Sequence, residues 1–189
     1  MIALRKPLLL ASSSPRRQYL MKEVGFTFEV AHPDIDESFP DNIPYEDVPS
    51  YLARKKSQAL LPQQRDKIIL ASDTVVILKH KILNKPQDRN EAIEMLSSLS
   101  DNTHIVITAV CLLSNEKEDC FDDRTEVTFS KISQREIEYY VDNYKPFDKA
   151  GSYGAQDWIG LTAIEKINGS YFTVMGLPMH KVYERLKVF

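Results

Sequence analysis

A four-residue apolar run, Leu8-Leu9-Leu10-Ala11, breaks without a spacer into Ser12-Ser13-Ser14-Pro15-Arg16-Arg17. No other feature constrains the fold of this chain as much. The run reads as a short buried strand. Ser14 suits a helix N-cap, and Pro15 suits the first helical turn, where a missing N–H removes no bond. The next stretch carries Tyr19, Leu20 and Val24 and stops at Gly25, a favourable residue just past a helix end. A strand that turns at once into a helix points to an α/β chain.

The rest of the sequence keeps that alternation. Residues 26–30 alternate apolar and polar, as a half-buried strand does. Residues 32–47 hold three prolines and six acidic residues and read as a mobile loop. A helix is predicted at about 49–61. Residues 67–78 place Ile68-Ile69-Leu70 and Val75-Val76-Ile77-Leu78 around Ala71-Ser72-Asp73-Thr74, a central strand interrupted by polar residues. Asp88 caps a helix at about 90–98, and residues 104–113 and 124–130 read as strands. Ser133-Gln134-Arg135-Glu136 is a capping box that opens a helix to about 144. Residues 162–167 and 170–175 are predicted to form a hairpin across Asn168-Gly169, and a helix at about 177–187 closes the chain. The fold class is α/β, with a mixed central sheet flanked by helices and one domain over residues 1–189.

Composition narrows the function. With 189 residues, the chain buries about 70% of its unfolded surface and needs no staple. A net charge of -3 does not imply broad binding to nucleic acid, so phosphate contacts must come from a local basic cluster. Cys111 and Cys120 lack metal-type spacing and read as reduced structural thiols. The apolar run after Lys6 is too short for a signal peptide or a membrane span, which predicts a cytoplasmic protein with no membrane partner.

The chemistry concentrates in a few places. At residues 12–17 the free N–H groups of a helix start favour an anion. Arg16 and Arg17 oppose the helix dipole there, and a bound polyphosphate explains two guanidinium groups at that end. Asp73 puts a carboxylate inside a buried strand pattern, which is costly unless it is paired or binds a cation. Lys56 and Lys85, taken alone, read as solvated, and so do the loop carboxylates Asp36 and Glu37. Residues 148–156, Asp-Lys-Ala-Gly-Ser-Tyr-Gly-Ala-Gln, read either as a loop that approaches a ligand closely or as an ordinary turn. No Walker A loop, Ser-His-Asp set or histidine metal spacing is present.

Together these residues resemble the Maf family of nucleoside triphosphate pyrophosphatases. Residues 9–17 resemble its opening A-S-x-S-P-R-R signature, and residues 71–76 its central A-D-T-x-V strand. Lys85-Pro86 matches its K-P turn, and residues 148–156 resemble D-K-A-G-A-Y-G-I-Q. Asn168-Gly169-Ser170-Tyr171 and Val174-Met175-Gly176-Leu177-Pro178 match the closing segment. The resemblance implies a Maf/ITPase-like fold with two lobes around a deep cleft, a homodimer and a divalent metal, Mg²⁺ or Mn²⁺. It implies attack of water between the α and β phosphates of a nucleoside triphosphate. Carried over, Ser12, Arg16 and Arg17 hold the triphosphate, with Lys56 and Lys85 adding positive charge. Asp73 is the general base or a metal-linked carboxylate, Asp36 and Glu37 help bind metal, and Gln156 lies near the nucleotide.

Thr74 after Asp73, with Gln156 in the Y-G-x-Q run, resembles the branch that hydrolyses dTTP and UTP. Two alternatives stand beside it: a 7-methyl-GTP pyrophosphatase of the same family, and a nucleotide-binding regulator of septum formation. Two places depart from the family pattern: Asn84 before Lys85-Pro86, and Asp157-Trp158-Ile159-Gly160 after Gln156. Trp158 could stack on a base, with buried packing as the plainer reading.

Overall fold

The computed structural model describes residues 4–189. The elements run β1 (Leu8–Ala11), α1 (Pro15–Glu23), β2 (Phe28–Ala31), α2 (Val48–Leu60), β3 (Ile68–Leu78), β4 (Lys81–Leu83) and α3 (Arg89–Leu99). They continue with β5 (Thr103–Leu113), β6 (Glu118–Phe129), α4 (Gln134–Tyr144), α5 (Trp158–Ala163), β7 (Ile164–Asn168), α6 (Tyr171–Val174) and α7 (Met179–Val188). The strands form one sheet in the order β2-β1-β3-β5-β6-β7, with β4 on β3 off that path. The sheet is mixed, as expected: β1 is parallel to both neighbours, and β7 is antiparallel to β6. Two compact units divide the chain; three of the four divisions fall inside β3, β5 and β6, and the fourth between α6 and α7. Unit 1 runs to Asp73 and takes in Thr108–Asp123 and Gly176–Phe189; unit 2 is Thr74–Ile107 with Arg124–Met175.

In unit 1, all four residues of β1 are buried, because β2 and β3 flank the strand. Leu9, Ala11, Ile69, Ala71 and Leu113 meet Leu60 of α2 in one core cluster. Each fully buried leucine of this kind contributes about 1.5–3 kcal/mol. Cys111 and Cys120 are joined in a disulfide, with their Cα atoms 4.1 Å apart, which corrects the reading as reduced thiols. The sequence reading missed that Glu118 already lies in a strand, so it missed the reversal that sets the two cysteines side by side. Acidic residues disguised that strand. They are tolerated because Arg54 pairs with Glu118 at 2.9 Å, Arg185 with Asp119 at 3.2 Å and Lys181 with Asp123 at 2.6 Å.

In unit 2, Asp88 caps α3 by accepting from the Glu91 N–H, and Ser133 and Glu136 form the capping box of α4. These helices bury Leu96, Leu99, Ile137 and Tyr140 in a core shared with Val76, Phe129 and Tyr153. The hairpin expected across Asn168-Gly169 is only half present. The turn exists, but residues 171–174 are helical. The Thr125 hydroxyl accepts from Ser170 N at 2.9 Å and donates to Ser170 O at 3.2 Å, and Thr173 N also bonds that carbonyl. The backbone of Ser170 is thus held by a side chain and a helical turn, and the chain leaves the sheet.

Candidate active site

The register of the sheet builds the first half of the site. Ala11 of β1 sits beside Ala71 of β3 in a parallel pair. The residues that follow, Ser12 on one strand and Ser72-Asp73 on the other, therefore advance together. In parallel sheets, ligands bind outside such carboxyl ends. Ser14 occupies the N-cap of α1, but its hydroxyl does not cap the helix. Ser12 Oγ instead accepts from the Ser14 N–H and from Arg17 Nη1, both at 3.2 Å.

Arg17 also donates from Nε to Gly176 O and from Nη1 to Ser72 O, both at 2.8 Å. Ser72 Oγ donates to the same Gly176 carbonyl at 3.2 Å. One guanidinium thereby ties the β1–α1 turn, the middle of β3 and the turn before α7 together. Burial pulls the Arg17 pKa down to about 10, so it stays charged at neutral pH. Arg16 lies half-buried in the same first turn.

Asp73 is 8% exposed and Lys56 is 7% exposed. Lys56 lies on the buried face of α2 with Leu52, Ala53, Ser57 and Leu60. Its Nζ donates to Asp73 Oδ1 at 2.6 Å and contacts Glu37 Oε1 at 2.8 Å. Burial raises the Asp73 carboxyl above the ordinary 3.8, while Lys56 and then Arg17 oppose that rise. Asp73 is thus a buried carboxylate paired with the Lys56 ammonium. A buried charge group of this kind persists only when each member has a partner.

Asp36 does not join the cluster. It is exposed and accepts from both the N–H and the hydroxyl of Ser38. Asp36, Glu37 and Asp73 do not gather as a three-ligand set among the described residues. Glu37 and Asp73 do converge on one cation, the Lys56 ammonium. Two carboxylates that also share phosphate oxygens suit a hard divalent cation such as Mg²⁺ or Mn²⁺.

The remaining sequence-predicted residues lie in unit 2. Lys85 is exposed on the turn after β4, and the neighbouring Asn84 carbonyl accepts from Gly151 N at 3.2 Å. That bond ties the Lys85 turn to residues 148–156. The loop is anchored from below by Tyr153, whose hydroxyl meets His104 Nε2 at 2.7 Å. Burial lowers the His104 pKa to about 4, so this ring is a neutral anchor. Gln156 is half-buried and donates from Nε2 to Asp157 Oδ1 at 3.1 Å. Trp158 takes the packing role: it sits edge-on to Tyr139, 5.1 Å between centroids, and borders the unit 2 core.

Sequence reading missed three contributors. Ser72 gave no signal beyond its place beside Asp73. Asp157 and Tyr140 belong to the Gln156 network, and only their three-dimensional contact reveals it. Lys56 had a readable signal, a lysine at core spacing between Ala53 and Leu60 on a helix.

In this α/β sheet, a serine, an arginine, a lysine and a buried carboxylate gather where β1 ends beside β3. The chain belongs to the Maf family: the model described as "Maf-like protein" matches residues 7–189. Curated relatives are similar over almost their whole length. One from Bacteroides fragilis, named dTTP/UTP pyrophosphatase, is 48% identical over 97% of this chain and 96% of its own. Relatives with the same name from Parabacteroides distasonis and Flavobacterium psychrophilum are 46% and 47% identical. They cover 96% and 93% of this chain, and 95% and 91% of their own. Among solved structures, that of the Staphylococcus aureus Ham1 protein is similar with a TM-score of 0.48 and 15% identity. It covers 66% of this chain and 72% of that one, a likeness too slight to carry an argument.

Proposed function

We propose that this chain hydrolyses dTTP and UTP to the monophosphate and pyrophosphate. The observation that carries the reading is the buried Asp73–Lys56 pair, 2.6 Å apart, beside the Arg17-clamped turn of Ser12. The names of the relatives support the substrate.

The residues divide the work as follows. The turn at Ser12 and the Arg16 guanidinium receive phosphate oxygens, and Lys85 adds positive charge. Arg17 spends three hydrogen bonds on the protein and so fixes the turn and Ser72 in place. Asp73 accepts a proton from the attacking water, whose oxygen forms a bond to the α phosphorus. The bond from that phosphorus to the bridging oxygen breaks, and pyrophosphate leaves with the electron pair. Lys56 offsets charge close to Asp73, which matters because phosphoryl chemistry is mostly positioning and charge neutralisation. Glu37 and Asp73 would hold Mg²⁺ or Mn²⁺ together with phosphate oxygens, supplying charge neutralisation and a more acidic water. Gln156 reads the base.

On this reading the enzyme works in the cytoplasm as a homodimer. Among the described residues, no helix is long and apolar enough to cross a membrane.

The test is pyrophosphate release from dTTP, UTP, CTP, 7-methyl-GTP, ATP and GTP, with Mg²⁺ and then Mn²⁺. Fast release from dTTP and UTP is expected. Release from 7-methyl-GTP alone overturns the base assignment and keeps the reaction. Tight nucleotide binding with no release from any of them favours a regulatory nucleotide-binding protein.

A further inference from the structure

Gln156 presents an unusual side chain. Its Nε2 donates to Asp157 Oδ1 at 3.1 Å, yet its Oε1 is buried without a hydrogen-bond partner among the described residues. Buried polar atoms are nearly always bonded, so each exception calls for an explanation. A carboxylate only accepts, so Asp157 can hold the amide only by its NH₂ end. The carbonyl end is then the one left without a bond.

Asp157 is itself held. Its Oδ2 accepts from the Tyr140 hydroxyl at 2.8 Å and lies 3.8 Å from Lys149 Nζ. Tyr140 is fully buried, and its oxygen also accepts from Gly154 N at 3.1 Å. Burial, followed by the bond to Asp157, pushes the Tyr140 phenol up, so it remains a donor at any ordinary pH. Asp157 stands at the N-cap of α5, but its side chain makes no capping bond. The carboxylate is turned away from the helix and toward Gln156. Gly154 leaves room for this arrangement: a Cβ there would lie 2.6 Å from Asp157 Oδ2 and 2.8 Å from Gln156 Nε2.

We propose that Asp157 is a positioning residue for base selection: through Tyr140 and Lys149 it locks the Gln156 amide with its carbonyl oxygen offered to the base. This inference rests on the proposed role of Gln156 as base reader. Thymine and uracil carry an N3–H that matches a fixed acceptor. Cytosine presents an unprotonated N3 there and meets the carbonyl acceptor to acceptor. The locked amide thus favours dTTP and UTP over CTP.

The experiment compares kcat/KM for UTP and CTP in the parent enzyme, Asp157→Asn, Asp157→Glu and Tyr140→Phe. An asparagine at 157 can donate to the Gln156 carbonyl and lets the amide turn over. The UTP-to-CTP preference is expected to fall about tenfold, the scale of one lost hydrogen-bond match. Asp157→Glu keeps an acceptor and retains the preference. Tyr140→Phe loosens the carboxylate and lowers the preference by a smaller factor, which keeps the test available if Asp157→Asn does not fold. If Asp157→Asn folds and lowers both substrates equally, or changes neither, the inference is overturned and base reading by Gln156 stands. A parent enzyme that hydrolyses CTP as well as UTP overturns the base reading itself, and this inference with it.

Discussion

The Asp73 cluster of unit 1 and the Gln156 cluster of unit 2 are built on opposite principles. Around Asp73, full charges from four distant segments meet, those of Arg17, Glu37, Lys56 and Asp73, with the Gly176 carbonyl as anchor. Around Gln156, the parts lie within a few residues of one another, apart from Tyr140 of α4, and one neutral amide is oriented by a carboxylate. The first arrangement suits chemistry in which charge moves onto phosphate oxygens. The second suits choosing between rings of similar shape that differ in donor and acceptor pattern. The proposed reaction calls for both kinds of group, because charge alone cannot tell uracil from cytosine, and a fixed amide cannot neutralise a leaving pyrophosphate.

Disruption of the two clusters should therefore fail in different ways. The largest stability effect belongs to Lys56→Met. It leaves Asp73 buried without its nearest cation, and about 3–5 kcal/mol of stability should be lost in denaturant unfolding. The same variant should move the pH profile. In the parent enzyme, burial holds the Asp73 carboxyl above 3.8, so kcat should fall as pH drops through that raised value. Lys56 opposes the rise, so its loss should shift the acid limb to still higher pH. A limb that stays in place would show that another group sets it.

Two glycines sharpen the contrast within unit 2. A Cβ on Gly160 would meet the Ala155 carbonyl oxygen at 2.0 Å, and that backbone cannot step aside. Gly160→Ala should cost about 1–3 kcal/mol of stability, read as a lowered Tm. At Gly154 the atoms in the way are the ends of the Gln156 and Asp157 side chains, which can move. Gly154→Ala should change stability by less than about 1 kcal/mol while reducing the UTP-to-CTP preference about tenfold. Equal losses of stability at both glycines would erase the distinction between packing and orientation. The last effect lies outside either cluster. Ser133→Ala removes the cap of α4 and should cost about 1 kcal/mol in unfolding without changing kcat/KM.

Much of this was legible in the sequence, and the gaps have physical causes. The β1–α1 turn, the helix caps and the buried setting of Asp73 follow from local pattern, because short-range rules decide them. The partnership of Asp73 with Lys56 was not readable, since residues 17 apart meet only when α2 packs on the sheet. The acidic start of β6 looked like loop because its compensating cations come from α2 and α7. Residues 170–175 carry strand composition, but the bonds of Thr125 to Ser170 redirect them into a helical turn. Asp157 appeared only as a departure from a pattern, because nothing in a linear sequence shows which end of an amide is tied.

The most direct measurement is Asp73→Asn, followed by single-turnover hydrolysis of UTP and by equilibrium binding of the same nucleotide. Loss of the base should lower the hydrolysis rate by about 10²–10⁴ while affinity changes little. Hydrolysis by Asp73→Asn at the parent rate would contradict the role of Asp73 as the base that activates water.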